Sequence, residues 1–130
     1  MNRQFSGYPY KFIAILFLLS YAYLPAWCEE MIKFEHLTTE QGLSQNSVTS
    51  ICQDSTGFLW FGTYTGLNRY DGYSFSTFYF DRQDTNSISN NHIKELYVDR
   101  QGNLWIGTWG GGLNYFDSRQ EHFLRFQHNS

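Results

Sequence analysis

The chain repeats itself at a fixed interval. The segment Gly57–Asp71, GFLWFGTYTGLNRYD, returns as GNLWIGTWGGGLNYFD at Gly102–Asp117. Asp54, Gly57, Leu59, Trp60, Gly62 and Thr63 recur 45 positions later as Asp99, Gly102, Leu104, Trp105, Gly107 and Thr108. A period near 45 residues, rich in short β-prone runs, marks a repeat architecture in which each unit buries a face on its neighbour. Two copies are legible, whereas arrays of this kind generally need about three for stability.

Turn signals divide each copy into four strands. In the first, Val48–Asp54 is β-prone, the tight turn Asp54-Ser55-Thr56-Gly57 follows, and Phe58–Tyr64 is strongly apolar. Thr65-Gly66 turns the chain before Leu67–Tyr70, and Asp71-Gly72 is a strong hairpin signal before Tyr73–Phe80. In the second, the expected strands are Ile93–Asp99, Leu104–Trp109, Leu113–Phe116 and His122–Gln127. One added residue in the triple-glycine turn and a longer last hairpin account for the drift in spacing, as surface turns allow.

Four short strands in about 45 residues make one antiparallel meander, the content of one propeller blade. The expected fold is all-β: two four-stranded antiparallel blades of an incomplete β-propeller, preceded by a signal peptide. The divisions are 1–28 for the signal peptide, 29–41 for a lead-in, 42–86 for blade 1 and 87–130 for blade 2. The closing Gln127–Ser130 resembles Asp84–Ser87, so the chain reads as ending at the start of a third blade. Trp60 and Trp105 are read as packing between blades, each contributing roughly 150–250 Å² of surface. Gly62 and Gly107 are read as points of close backbone approach. Asp54 and Asp99 are expected to accept turn N–H groups, with Gly57 and Gly102 at positive φ. Two blades leave two open faces, so the isolated mature chain is expected to aggregate or to be only partly ordered.

The N-terminus carries its own signal. Arg3 and Lys11 precede the apolar run Phe12–Leu24, and small residues follow at Ala26 and Cys28. This is the pattern of a secretory signal peptide, and the run is shorter than the roughly 20 residues of a spanning helix. An uncleaved anchor is the alternative. Lipidation at Cys28 is not expected, because Trp27 stands where a small residue is wanted. Cleavage there leaves Cys52 alone, with no internal disulfide, and its strand-like setting suits a small core residue. Loss of Arg3 and Lys11 takes the formal net charge from −3 to −5. An acidic body without a Lys/Arg stripe is a poor partner for nucleic acid.

The repeated residues carry a family resemblance. Asn46, Val48, Ile51, Asp54, Gly57, Leu59, Trp60, Phe61, Gly62, Thr63, Gly66, Leu67, Tyr70 and Asp71 resemble the two-component regulator propeller repeat. So do Asn91, Ile93, Leu96, Asp99, Gly102, Leu104, Trp105, Ile106, Gly107, Thr108, Gly111, Gly112, Leu113, Phe116 and Asp117. The first copy lacks one of the paired glycines. The resemblance implies the N-terminal part of a periplasmic sensor of a Bacteroidetes-type hybrid two-component system. It further implies an inner-membrane anchor and kinase outside these 130 residues, and an oligosaccharide ligand for the complete sensor. The implied partners are the remaining blades of such a propeller. A rival reading is an exported interaction module that completes its ring with another chain.

Tyr64 and Trp109 are the ligand-binding candidates. Each follows the second strand's Gly-Thr, where a loop aromatic could stack on a sugar ring, although blade packing competes as an explanation. Gly107 and Gly110–Gly112 resemble a phosphate loop only superficially, because a strand-like LNYFD follows instead of a helix. His36, His92, His122 and His128 show no zinc-like spacing, and no nucleophile–base set recurs. No catalytic residue, metal site or cofactor is therefore expected. A propeller-based lyase or hydrolase, a further alternative, would need convergent acid and base groups that neither repeat offers.

Overall fold

The computed structural model describes residues 34–127. The signal-peptide segment, Cys28 and the last three residues lie outside them. The lead-in carries a single 3₁₀ turn, Thr39–Gln41, closed by reciprocal bonds between Thr38 and Gln41. Eight strands follow: β1 Val48–Gln53, β2 Leu59–Thr63, β3 Leu67–Tyr70, β4 Phe75–Phe78, β5 Ile93–Val98, β6 Leu104–Thr108, β7 Gly112–Asp117 and β8 His122–Phe126. They form two antiparallel meanders, β1-β2-β3-β4 and β5-β6-β7-β8, with no strand exchanged between them.

Strand ends lie within about two residues of those expected from turn chemistry. The fourth strand shows the largest difference. Asp71 accepts the N–H groups of Tyr73 (2.8 Å) and Ser74 (2.7 Å), which holds both residues in the turn. At the other end the N–H of Phe80 leaves the sheet for Asn91 Oδ1 at 2.6 Å. Gly57 and Gly102 adopt φ values of 96° and 86°, the left-handed turn conformation the sequence calls for.

The pleat sends alternate side chains to opposite faces, and this places the core. From blade 1, Trp60 and Leu67 point at blade 2 and are fully buried, with Cys52 and Phe78 beside them. Blade 2 answers with Ile93, Leu96, Leu104, Ile106, Phe116 and Phe123. The Trp60 ring lies 4.9 Å from Phe116 and 5.7 Å from Phe78. Each such aliphatic or aromatic side chain contributes roughly 1.5–3 kcal/mol on full burial, so this layer outweighs the few polar links between blades. Gly62 admits the closest approach: a Cβ there would sit 2.6 Å from Ile93 Cγ2. Arg69, half-buried, caps the layer with its guanidinium 5.0 Å from the Phe58 ring and 2.9 Å from Glu121 Oε1.

A buried polar triad docks the segment entering each blade. Asn68 accepts the Ser44 N–H at 2.8 Å and donates to Ser44 Oγ at 2.9 Å, and Ser44 Oγ lies 2.8 Å from Thr63 Oγ1. Ser89, Thr108 and Asn114 repeat the arrangement at 2.9, 2.8 and 3.1 Å. Asn68 and Asn114 are fully buried and use both ends of the amide, so the segments at 44 and 89 are held in register. The connector between blades is tied by Arg125, which donates to the Ser87 carbonyl at 2.7 Å and the Asp84 carbonyl at 2.8 Å.

Candidate functional site

The two ends of the blades differ in chemistry. At one end lie the turns that follow β1 and β5, where Asp54 and Asp99 are fully occupied as acceptors. Asp54 Oδ1 accepts the N–H groups of Thr56 (2.9 Å) and Phe58 (3.1 Å), while Oδ2 accepts the indole N–H of Trp60 at 2.7 Å. Asp99 does the same for Gln101, Asn103 and, at 3.0 Å, the Trp105 indole. For Asp54 the desolvation cost opposes ionisation, but the bonds from Thr56, Trp60 and Phe58 prevail and hold the carboxyl below its usual range. For Asp99 the bond from Trp105, then that from Asn103, lowers the carboxyl to about 2. The aspartates therefore orient the tryptophans as well as the turns.

A cleft of about 50 Å³ between these turns is lined by Asp54, Thr56, Gly102, Asn103 and Tyr115. Ligand clefts are typically about 300–1,000 Å³, so this one is too small for a sugar ring. Nearby Cys52 is partly buried against the core. Burial, then the Asp54 carboxylate, pushes its thiol up to about 11, which leaves it an inert packing residue as the sequence suggests.

The opposite end carries Tyr64 and Trp109. The turn after β2 is closed by Thr63, whose N–H and Oγ1 both donate to the Gly66 carbonyl, at 3.1 and 2.9 Å. Tyr64 projects from that turn and is 49% exposed. After β6, Thr108 Oγ1 donates to the Gly112 carbonyl at 3.1 Å, and the Trp109 N–H donates to the His92 carbonyl at 2.9 Å. Trp109 is 62% exposed. Both side chains are thus partly open to solvent rather than enclosed in the core.

The structure joins them through a residue that sequence reasoning left aside. His92 lies between them, its ring edge-on to Tyr64 at 4.6 Å and stacked on Trp109 at 5.8 Å with 20° between planes. Lys94 completes the ledge with Nζ 5.4 Å from the Trp109 ring centroid. The pairing explains why: Ile93 lies opposite Thr108, so the residue before it falls beside Trp109. That register was the available signal, and a search for zinc-like histidine spacing could not find it. The adjoining glycine turn and Gln127 line an open groove of about 470 Å³. A strand follows this turn, as expected, which removes the helix N-terminus that a phosphate loop would use. Among the described residues no three His, Cys, Asp or Glu side chains converge to hold a metal.

The ledge can do two things chemically: stack on the flat face of a ring, and offer a cation at its edge. Comparison with known proteins places the repeats. The model of the two-component regulator propeller matches residues 42–65 and 87–110. Both repeats belong to the two-component regulator propeller family. The fold is similar to the extracellular domain of a proposed hybrid two component system of B. thetaiotaomicron. That match has 43% identity and a TM-score of 0.68, over 73% of this chain and 13% of that one. A second such extracellular domain from the same organism matches at 30% identity and a TM-score of 0.59, over 73% of this chain and 14% of that one. The curated Histidine kinase P4 of Formosa agariphila is 46% identical over 56 residues, which is 43% of this chain and 4% of that protein. The chain thus spans a small part of each relative it matches. The matched structures are extracellular domains of two-component systems, and the kinase part is not covered by this chain.

Proposed function

We propose that this chain is a ligand-sensing part of an extracytoplasmic two-component sensor, with Tyr64, His92 and Trp109 contacting the ligand. The ligand class we assign is an oligosaccharide, and the export route is a signal peptide at 1–28. In the complete sensor, further blades continue the propeller, and a kinase beyond the membrane anchor reads the bound state. One observation carries the reading. The two repeats expose an aromatic at the same turn position, and His92 fuses the pair into one surface. Pyranose rings present apolar C–H faces that stack on such a surface while their hydroxyls stay hydrated.

The test is a titration of the full chain with an oligosaccharide panel, followed by Trp fluorescence and calorimetry. Binding should fall about tenfold or more in Trp109→Ala and in Tyr64→Ala, as expected for loss of a stacking contact. It should persist in Tyr97→Ala, an exposed aromatic of β5 outside the ledge. Absence of binding across the panel, or ledge variants that bind like the parent, would refute the assignment.

A further inference from the structure

The ledge has a polar edge as well as an aromatic face, and two residues define it. His92 is framed on both sides by the two blades themselves, by Tyr64 of blade 1 and by Trp109 of blade 2. Its backbone is fixed at both polar groups. The His92 N–H donates to Asn90 Oδ1 at 2.9 Å, and its carbonyl accepts the Trp109 N–H at 2.9 Å. Its ring nitrogens hold no hydrogen bond among the described residues, so neither is spent on the fold. In either protonation state an imidazole offers at least one N–H.

Lys94 is placed by an irregularity of the sheet. In β5, Ile93 lies opposite Thr108 and Glu95 opposite Gly107, so Lys94 is an extra residue without a partner across the ladder. A bulge of this kind re-aims a side chain. β1 has the same irregularity at Thr49, whose short hydroxyl reaches the Ile93 carbonyl of the next blade at 2.9 Å. The longer Lys94 carries its ammonium to the Trp109 ring, 5.4 Å from the centroid. No carboxylate among the described residues pairs with it, and the neighbouring Glu95 instead accepts the Ser50 hydroxyl at 3.0 Å. In a chain of formal net charge −3, positive charge is left uncompensated at the ledge.

We propose that the ledge selects an acidic saccharide, with the carboxylate of a uronic acid unit held between Lys94 Nζ and the imidazole N–H of His92. A pyranose stacked by its apolar face directs a ring carboxylate outward from the ring edge, where both donors stand. They flank one indole, at 5.4 and 5.8 Å from the Trp109 centroid, and a carboxylate has two oxygens to accept them. Charge-assisted bonds are roughly twice as strong as neutral ones, so charge dominates the selection over the pattern of hydroxyls. The proposal rests on the sensing reading of the same ledge and narrows it from oligosaccharides in general to carboxylated ones.

Calorimetric titration of the full chain tests this with trimers of galacturonate, glucuronate and mannuronate, each compared with its methyl ester. The ester keeps the sugar and removes only the charge. At least one acid should bind about tenfold or more tightly than its ester, and added salt should weaken the acid alone. Lys94→Gln should bring the acid-to-ester ratio to within about twofold, and Lys94→Arg should keep most of it. Arg100→Gln removes an exposed cation from the turn at the opposite end and should leave the ratio as it was. Circular dichroism confirms that each variant is folded. Acids and esters that bind alike, a preference that survives Lys94→Gln, or binding of neutral oligosaccharides only would overturn this inference and leave the sensing reading standing. Absence of binding by any saccharide, charged or neutral, would refute the sensing reading and this inference with it.

Discussion

Leu67 and Leu113 occupy one repeat position in two environments, and truncating each isolates what a neighbouring blade contributes. Leu67 is fully buried against blade 2, while Leu113 is 42% exposed. In well-packed cores Leu→Ala costs about 2.7–5 kcal/mol, because a cavity term adds to lost transfer energy. At Leu113 water fills the vacated space, so only part of the transfer term, about 1 kcal/mol, remains. The expected gap between Leu67→Ala and Leu113→Ala is therefore about 2 kcal/mol. For a domain of this size it corresponds to roughly 10 °C in Tm. Urea and thermal unfolding at submicromolar concentration, followed by far-UV circular dichroism, read it out below the onset of association. Equal losses, or a larger loss at Leu113, would mean that the blades do not pack through this face, and the core assignment would fail with it.

Two other outcomes follow from named contacts. Asp54 and Asp99 have folded-state carboxyls held below the usual value of 3.8, Asp99 at about 2. Their contribution is therefore fully present above about pH 4 and is lost as pH falls toward 2, so urea midpoints should drop across that window. Asp99→Asn should show a shallower drop than wild type, and identical slopes would contradict the turn geometry. Gly62→Ala forces a Cβ to within 2.6 Å of Ile93 Cγ2, whereas at Gly107 the nearest atoms are 3.8 and 3.9 Å away. The first should cost about 1–3 kcal/mol and the second less than about 0.5 kcal/mol in dilute unfolding experiments. Reversal of that order would place the close approach at the wrong blade.

Strand positions were legible because each is bounded by a turn with a stated mechanism. Asp71-Gly72 and Asp54-x-x-Gly57 punctuate the chain wherever they occur, and tertiary context has little scope to override them. What a repeat position does after folding was less legible. Trp60 and Trp105 read identically, and Trp60 does pack between blades. Trp105 faces away from blade 1, against Tyr115 and Phe126 of its own sheet. Local sequence cannot say which of the two tryptophans lies in the layer between blades 1 and 2. The indole–carboxylate bonds were missed for a related reason. An acceptor six residues before a Trp has no local signature, and the bond exists because the hairpin folds one strand back along the other. The Ser44–Thr63–Asn68 triad joins three segments and becomes visible only when its recurrence as Ser89–Thr108–Asn114 is set beside the sheet register.

The repeat also separates scaffold from candidate site by chemistry. Positions that hold the same residue in both copies, such as Asp54 and Asp99 or Asn68 and Asn114, spend their polar groups on turns, tryptophans and docking segments. A blade cannot change them without losing a bond it has no other means of making. The ledge lies at positions that differ between copies: Tyr64 against Trp109, Ser47 against His92, and Thr49 against Lys94. In blade 1 Thr49 Oγ1 donates to the Ile93 carbonyl, a link between blades, whereas Lys94 instead reaches out to the Trp109 ring. The same backbone position thus serves assembly in one blade and the exposed ledge in the next. A propeller can acquire a binding surface in this way without altering the packing that holds it together.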